Sequence, residues 1–336
     1  MHAWRSALRG DPLPWLLERD DPAIRHLALT QLLDEPADAP TVRRARAAAM
    51  RTDPIASILD AMQPEGWWVR PDGAYSRKYT GYFWPLMFLE QMGADPRDRR
   101  LQRACRYTLE AGQAPGGGFG WAVRDGAVAH CLTGNVLRSL IVFGHLDDPA
   151  VRRGIAWETG AITGEGHERW HPAATSGPGF ACGVNGGLPC AWGAVKAVRA
   201  LAVIPPRRRT RAVRAALHAG AAFLLSVPPE TADYPTDTRI SSTWFKLGFP
   251  SAYMADVLQV GEALADLGMA RDPRLRGLVD LVLTRQHPDG RYVNAYPYRG
   301  RLWSDVDAPG VPSKWVTLRV ARFLKAAVGE GTEAAR

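Results

Sequence analysis

The chain has 336 residues, of which 46% are hydrophobic and 23% charged, and 42 Lys and Arg against 34 Asp and Glu give it a net charge of +8. This composition is typical of a globular protein and excludes a disordered or collagen-like chain. The 12 Trp, 33 Gly and 26 Pro favour large buried aromatic surfaces, or an aromatic pocket, together with many turns.

The first residues carry no pattern of a targeting or anchoring segment. Met1 leads into a polar stretch without the apolar core of a secretory signal, so we expect a cytoplasmic protein. Arg or Lys interrupts every stretch that approaches the roughly 20 apolar residues of a membrane span, although contact with a membrane surface stays open. Four cysteines without a C-x-x-C pair favour free thiols over a disulfide framework.

Short helices are predicted in the first part of the chain, at residues 15–17, 21–29 and 42–50. The second of them begins with Asp21-Pro22, where Asp accepts hydrogen bonds from free N–H groups and Pro fits the first helical position. The arrangement resembles a HEAT-like helix pair. We therefore interpret residues 1–55 as an N-terminal helical cap packed on the first repeat.

A two-part phrase repeats along residues 56–328. The first part is Asp-Pro with basic residues, and it predicts a helix start for the reason just given. It occurs at residues 93–101, 146–153 and 271–276, and in degenerate form at 204–209. The second part is a Gly-rich turn followed by an aromatic residue. It occurs at residues 63–68, 113–121 and 286–292.

An amphipathic stretch follows each turn, with the apolar spacing i, i+3, i+4 and i+7 that predicts a helix. These stretches are residues 82–91, 133–143, 192–203, 252–267 and 315–326. Helix pairs thus recur roughly every 50–60 residues, longer than the repeats of open solenoids, which favours closure into a ring of inner and outer helices. The last residues, 329–336, are predicted to form a polar tail.

The Gly-rich turn resembles the QW-type repeat, Gln-x-x-x-Gly-x-Trp, of the squalene–hopene cyclase and protein prenyltransferase β-subunit superfamily. Residues 63–68 are one residue short of it, residues 286–292 carry Tyr for Trp, and residues 113–121 form a stretched copy. The resemblance covers roughly residues 50–328. It implies an all-α fold, an α/α toroid of helical hairpins, and a terpenoid cyclase-like or prenyltransferase-like enzyme of specialised metabolism.

In such a ring, the starts of the inner helices meet at one end, where their positive dipole ends favour an anionic group. Trp lies within a few residues of Lys at four of the five starts. We therefore predict an aromatic cavity for a small, partly apolar substrate with an anionic group. The alternative is that the aromatic residues only pack and the lysines are solvated. The predicted substrate-binding residues are Tyr82, Trp84, His130, Asn135, Trp192, Lys196, Trp244, Lys246, Tyr253, Lys314 and Trp315.

Proton chemistry requires a carboxyl group whose environment sets its charge. Class II terpene cyclases of the superfamily use Asp-x-Asp-Asp, and the nearest match here, from Asp305 to Ala308, lacks the last Asp. Asp256 lies within a predicted apolar helix, where a charge requires a partner, and it is the preferred catalytic carboxylate, followed by Asp307 and Asp305. The alternative for the last two is a solvated turn before Pro309.

The prenyltransferases of the superfamily hold Zn²⁺ by Asp, Cys and His, which implies a zinc alternative for this chain. The sulfur ligands would be Cys131, Cys182 and Cys190, which border successive inner helices, with His130 or His171 nearby. No closely spaced ligand pair supports the set, and a buried apolar role is the alternative for each thiol. The Gly-rich loop 175–188 is expected to cross the cavity mouth, beside Trp157, His167 and Trp170.

Basic runs fall on the predicted outer helices and are spread around the ring. They predict a solvated face, and we expect no nucleic-acid partner. The sequence thus predicts a terpene cyclase-like or prenyltransferase-like enzyme that cyclises its substrate or transfers an alkyl or prenyl group. The alternatives are a zinc-dependent transferase and a toroid that serves only as a scaffold or binding protein.

Overall fold

Helices are the only regular elements in the part of the chain that the computed structural model describes, residues 3–166, 176–308 and 310–328. Pairing of β type is limited there to four isolated bridges, which confirms the predicted all-α class. The helices are α1 (Ala3–Ser6), α2 (Leu13–Leu16), α3 (Pro22–Gln31), α4 (Pro40–Ala49), α5 (Ile55–Asp60), α6 (Phe83–Gln91), α7 (Arg99–Gly112), α8 (His130–Val142), α9 (Pro149–Thr163), α10 (Ala191–Ala202), α11 (Arg211–Leu224), α12 (Val257–Ala265), α13 (Arg276–Thr284) and α14 (Lys314–Val328). His167, Trp170, His171, Pro309 and the tail 329–336 lie outside the described residues.

Five apolar helices form a connected series in which α6 packs on α8, α8 on α10, α10 on α12, and α12 on α14. Four of them occupy the predicted stretches, while α12 is shorter than the predicted 252–267 because Asp256 caps its start. The intervening helices α7, α9, α11 and α13 each pack on members of this series, and α9 also packs on α11. We refer to these four intervening helices as the second layer.

The N-terminal helices lie beside both ends of this series. Helix α3 packs on α4, and α1, α2 and α3 contact α14. At the other end, Gly93, which follows α6, lies so close to α3 that a Cβ there would be 2.7 Å from a methyl carbon of Leu27. The segment thus contacts the last long helix and the first one.

Capping residues begin the second layer, and only part of the Asp-Pro prediction holds. Asp148 caps α9 at Pro149 as expected, whereas α7 begins after Asp98 instead of at the earlier Asp95. Asp272 caps a short 3₁₀ turn that leads into α13. The prediction that the degenerate copy at 204–209 begins a helix is wrong, because α11 begins after Thr210, which caps it.

The repeated turn joins neighbouring helix pairs. Gly66 and Gly117 adopt φ values of 108° and 103°, and a Cβ at either would lie 2.7 Å from a carbonyl oxygen, that of Arg103 in α7 or Arg153 in α9. Only glycine tolerates both constraints. The Nε2 of Gln113 donates to the carbonyl of Gly117 and to a carbonyl in the first turn of α9, at 2.8 and 2.7 Å. The motif therefore fastens one hairpin to the next.

A buried charge network joins α10, α12 and α14. Glu262 of α12 is 2% exposed and pairs with Arg199, Arg319 and Arg322 at 3.2, 3.1 and 2.7 Å. Burial opposes ionisation, but the three guanidinium groups, Arg319 foremost, hold the pKa of Glu262 well below its usual range. The basic runs in the sequence predict an outer basic face and give no sign of these inner arginines.

The described helices also bear on membrane insertion. None of them combines the length and the apolar character that crossing a bilayer requires.

Candidate functional site

A cavity of about 350 Å³ lies at the starts of α8 and α10. Its wall is mainly apolar, and five aromatic residues contribute to it: Tyr75, Trp121, Trp192, Tyr234 and Tyr253. The volume is at the lower end of the range for pockets that hold small organic ligands. Arg239 is the one Lys or Arg side chain in the described lining.

The aromatic wall is held by contacts among its rings. The Tyr253 ring meets those of Tyr75 and Trp192 edge to face, with centroids 6.3 and 6.2 Å apart. Trp84 supports the wall from behind, where its Nε1 donates to the carbonyl of Tyr75 at 3.2 Å. The ammonium of Lys78 lies 4.9 Å from the centre of the Tyr253 ring. The rings are thereby positioned before any ligand binds.

The buried Nε1–H of Trp192 has no hydrogen-bond acceptor among the described residues. Buried donors in folded proteins nearly always have an acceptor, so an unpaired one beside a cavity requires an explanation. The N–H belongs to a residue of the cavity wall, and the nitrogen itself is fully buried.

Three thiols share this cavity: Cys131 in the first turn of α8, Cys190 just before α10, and Cys182 in the loop between them. The loop is a hairpin in which the N–H of Cys182 donates to Leu188 at 3.1 Å and the N–H of Cys190 donates to Phe180 at 2.8 Å. The predicted convergence of these cysteines is therefore observed.

The three thiols differ in acidity. Interaction with the Cys190 thiol, and with nearby backbone N–H groups, lowers the pKa of Cys182 to about 6. The same interaction, together with burial, raises the pKa of Cys190 well above its usual value. Burial raises the pKa of Cys131 to about 12. The Cys182–Cys190 pair therefore releases its first proton more readily than an isolated thiol does.

The three lysines predicted to bind an anion lie in three different environments. Lys196 is 2% exposed and donates to Gln259 Oε1 at 2.5 Å, and burial, with help from Arg199, lowers its pKa to about 7. Lys246 is exposed beside a smaller neighbouring pocket. Lys314 pairs with two acidic residues of the N-terminal segment, at 2.9 and 3.1 Å. None of the three lines the aromatic cavity.

Some of the predicted aromatic residues line or support the cavity, whereas others only pack in the core. Trp192 and Tyr253 line the cavity, and Trp84 lies behind it. Trp244 is buried with its Nε1 donating to the carbonyl of Pro229 at 2.9 Å. Trp315 stacks on another ring at 4.4 Å.

Tyr82 and Asn135 also form internal contacts. The Tyr82 hydroxyl donates to the carbonyl of Ala111 at 3.3 Å, in the last turn of α7. The side-chain amide of Asn135 donates to the carbonyl of Ala252 at 3.2 Å. Neither residue is part of the described cavity lining.

His130 forms a buried pair instead of facing the cavity. Its Nδ1 lies 2.6 Å from Glu158 Oε1, and its Nε2 lies 3.1 Å from the carbonyl of Gly177. Burial lowers the pKa of His130, but the adjacent carboxylate outweighs it and the net direction is upward. Burial raises the pKa of Glu158. The pair joins α8 to α9 beneath the cysteine loop.

The candidate carboxylates lie outside the aromatic cavity. Asp256 caps α12 by accepting from the N–H of Gln259, and it also accepts from Arg319 at 2.9 and 3.0 Å. It lines the smaller pocket, of about 20 Å³. Asp305 is exposed and accepts from the N–H of Gly300.

Asp307 is the candidate carboxylate whose pKa is raised. Its Oδ2 accepts from Asn294 Nδ2 at 2.7 Å and from Ser313 Oγ at 2.9 Å. Burial outweighs these two bonds and raises the pKa of Asp307 to about 6. It is therefore not a fully solvated turn residue.

Replacing Asp307 by Asn is expected to stabilise the protein at neutral pH. A folded-state pKa of about 6 against 3.8 means that the folded chain binds this proton more tightly, so stability falls as pH rises from about 4 through 6. Asn accepts the same two bonds without the charge, and the variant should gain about 1–3 kcal/mol at pH 7.5 and little at pH 4. Urea unfolding at both pH values measures this, and an equal effect at the two would contradict it.

The described residues do not form a zinc site. Cys131, Cys182 and Cys190 share the cavity, but among the described side chains no group of three or more His, Cys, Asp or Glu is placed to hold a metal ion. His171 lies outside the described residues. We therefore derive no chemical step through zinc.

Tyr75, Trp121 and Arg239 are among the lining residues that were not predicted as site residues, and all three come from connections. Tyr75 precedes α6, and Arg239 lies in the long loop between α11 and α12. Trp121 is the aromatic residue that ends the stretched copy of the repeated turn, and that position was the signal in the sequence. The other two carry no periodic signal.

No protein-family model and no curated protein matches the chain. Among solved structures, a protein from Actinoplanes is similar at 16% identity and a TM-score of 0.29, over 84% of this chain and 100% of that chain. The type II terpene cyclase MstE from Scytonema with its product merosterolic acid A is similar at 13% identity and a TM-score of 0.30, over 81% of this chain and 94% of that chain. The same cyclase with its substrate geranylgeranyl dihydroxybenzoate is similar at 13% identity and a TM-score of 0.29, over 82% of this chain and 95% of that chain. Likenesses this distant assign neither fold nor activity to this chain.

Proposed function

We propose that this chain is a terpenoid cyclase-like or prenyltransferase-like enzyme that binds a small, partly apolar molecule with an anionic group in its aromatic cavity. The observation that carries the proposal is the cavity of about 350 Å³ with five aromatic residues in its wall. Aromatic faces bind apolar groups and stabilise the positive charge that develops when a carbon skeleton ionises. The Gly-rich turns that resemble QW repeats agree with this class.

In this proposal the anionic group binds Arg239 and the indole N–H of Trp192. Arg239 belongs to the lining, and the Trp192 N–H lacks an acceptor among the described residues. These two donors replace the three lysines, which lie elsewhere. A charged donor and an unpaired neutral one on the same wall orient a ligand whose other end is apolar.

The same proposal includes an α/α toroid closed by the N-terminal segment. Gln286 begins the last repeated turn, and its Oε1 accepts from the N–H of Arg9 at 2.8 Å. Gln113 makes the corresponding contact to the next outer helix, so the N-terminal residues take the place of a next repeat. Contacts of α1–α3 with α14, and of Leu27 with Gly93 after α6, agree with this closure.

Binding of 1-anilinonaphthalene-8-sulfonate tests the cavity, because the dye joins aromatic rings to an anionic group. We expect one site per chain, quenching of Trp fluorescence, and roughly tenfold weaker binding for Trp192→Ala, since an aromatic contact of this kind contributes about 1–2 kcal/mol. Arg239→Ala should also weaken binding, and increasingly so at low ionic strength. Fluorescence titration gives the dissociation constants.

Trp303→Ala is the matched control, because this indole is 36% exposed and is not part of the cavity lining. It should bind the dye as the wild type does. Equal affinity for all three variants would place the dye elsewhere and contradict the proposed cavity function.

The proton role predicted for Asp256 or Asp307 is tested separately, because neither carboxylate lines the aromatic cavity. Geranyl and farnesyl diphosphate are suitable first substrates, with products detected by mass spectrometry. Loss of product in Asp256→Asn or Asp307→Asn, but not in the exposed Asp280→Asn, would support that role. Full activity in both site variants would remove these carboxylates from the mechanism.

A further inference from the structure

We propose that an open cleft beside the aromatic cavity is a second binding site, which takes a doubly charged phosphate group. The cleft has a volume of about 560 Å³, and its lining includes three tyrosines and two cations: Tyr79, Tyr253, Tyr296, Lys78 and Arg301. Tyr253 is the one described residue that it shares with the lining of the aromatic cavity. The site is therefore separate from the one proposed above for the substrate.

The two cations of the cleft lack acidic partners. The Lys78 ammonium makes a long hydrogen bond of 3.4 Å to the Tyr253 hydroxyl, and neither it nor the Arg301 guanidinium pairs with a carboxylate in the part of the chain that the structure describes. By contrast, the exposed Arg97 and Arg274 each pair with a neighbouring aspartate at 2.7 Å. The cleft thus carries positive charge that the protein does not compensate.

The carboxylates of the adjoining segments are already engaged. Asp256, which lines the smaller neighbouring pocket, accepts from Arg319 at 2.9 and 3.0 Å. Asp305 accepts from the N–H of Gly300 at 2.8 Å and lies 3.8 Å from Arg299. No carboxyl side chain belongs to the described lining of the cleft itself. An anion that enters the cleft therefore meets cations without a competing acidic residue.

Lys246 adds a third cation at the edge of the cleft. It lines the smaller pocket, which shares Met254 and Tyr296 with the cleft. It is exposed, and among the described residues it has no acidic partner. Lys246 was predicted to bind an anion but lies outside the aromatic cavity, and this second site gives it that role.

Packed tyrosines hold the turns that carry Lys78 and Arg301. Tyr79 and Tyr298 are buried and adopt φ values of 70° and 50°, which bulky residues rarely do unless packing holds them there. Their ring centroids are 4.5 Å apart, and Tyr296 meets Tyr298 edge to face at 4.7 Å. Lys78 directly precedes Tyr79, and the N–H of Arg301 donates to the carbonyl of Tyr298 at 3.0 Å. The backbone of the site is therefore fixed before an anion binds.

The residue types favour phosphate over a carboxylate. A guanidinium group binds two phosphate oxygens at once, and an ammonium group adds a point charge for the third. One carboxylate, with a single charge, leaves part of this positive charge uncompensated. The tyrosine rings beside the cations suit a planar group attached to the phosphate. A free phosphate and a phosphate ester share the charged group, and only the ester also uses the rings.

Calorimetric titration with phenyl phosphate tests the site, because this probe joins a planar ring to a doubly charged phosphate. We expect one site per chain and an affinity about tenfold higher than that of benzoate, which has the same ring with a single charge. Inorganic phosphate should bind more weakly than phenyl phosphate. Equal affinities for the two phosphates would support the site and identify free phosphate as its ligand. Added salt should weaken binding, since the charges are exposed.

Single substitutions locate the binding site. Lys78→Ala and Arg301→Ala should each weaken phenyl phosphate binding roughly five- to tenfold, and Lys246→Ala should have a smaller effect because it lies in the adjoining pocket. Arg77→Ala is the matched control, since Arg77 is exposed next to Lys78 but is not part of the cleft lining. It removes the same charge and should bind the probe as the wild type does.

Three outcomes would overturn the inference: benzoate binding as tightly as phenyl phosphate, binding unchanged in both Lys78→Ala and Arg301→Ala, or an equal loss in Arg77→Ala. If Trp192→Ala weakens phenyl phosphate binding and Arg301→Ala does not, the probe occupies the aromatic cavity. The second site then fails and the proposed cavity function gains support. If dye binding ignores Trp192→Ala while phenyl phosphate depends on Arg301, the cavity function fails and the second site stands.

Discussion

Replacing Glu262 by Ala is expected to lower the free energy of unfolding by about 3–5 kcal/mol, measured by urea-induced unfolding at pH 7. The carboxylate of Glu262 pairs with three arginines from two helices, Arg199 of α10 and Arg319 and Arg322 of α14. Truncation removes one counter-charge from each of the three guanidinium groups, although Arg319 keeps Asp256 and Arg199 keeps Asp266. The loss of a buried pair costs far more than the loss of an exposed one. Few single side chains in the described core connect so many helices.

Two further variants separate charge from shape. Glu262→Gln keeps the size of the side chain and removes only its charge, so most of the loss should persist. Asp147→Ala breaks two exposed ion pairs, with Arg152 and Arg208, and should leave the unfolding midpoint nearly unchanged. A small effect of Glu262→Gln, equal to that of Asp147→Ala, would show that the inner arginines are solvated and would contradict the buried network.

The helical class and the positions of the long helices were largely predictable, because they depend on local patterns. Apolar spacing determines which stretches become α6, α8, α10 and α14, and the observed helices occupy those stretches. Helix ends were less predictable, because capping depends on one side chain. Asp256, which looked internal to a helix, is the cap that begins α12.

The cavity was predictable to the extent that its wall consists of inner-helix starts. Trp192, Cys131 and Cys190 lie at or just before such starts, and all three were singled out from the sequence. Tyr75 and Arg239 are brought in by loops, whose paths depend on tertiary contacts that no periodicity records. The residues of the site at helix starts were therefore predictable from the sequence, whereas those from loops required the structure.

The lysines show why residue type beside a helix start is a weak signal. Lys196 lies one turn further along α10 than Trp192, on nearly the same face, and its side chain donates to the buried Gln259. Lys314 meets Glu18 and Asp20 of a segment distant in sequence. Side chains one turn apart on a helix lie at different depths, so proximity in sequence did not imply a shared site.

Gly134→Ala is expected to destabilise the protein by about 1–3 kcal/mol and to weaken dye binding in the cavity. Gly134 lies where α8 and α10 approach most closely, and a Cβ there would be 2.5 Å from the carbonyl carbon of Lys196. Backbone atoms cannot rotate away, so the helices must separate by roughly 1 Å to restore a normal contact. Alanine would otherwise gain about 0.5–1 kcal/mol in a helix, which the overlap exceeds.

The effect on the cavity follows from what the two helices carry. Cys131 belongs to α8, and Cys190 and Trp192 lie at the start of α10, so separating the helices moves both sides of the cavity wall. Gly193→Ala is the matched control from the same interface, since its Cβ would meet only a side-chain carbon of His130, at 3.0 Å. It should cost less stability and less dye affinity. Equal effects of the two substitutions, in urea unfolding and in dye titration, would contradict a backbone contact at Gly134.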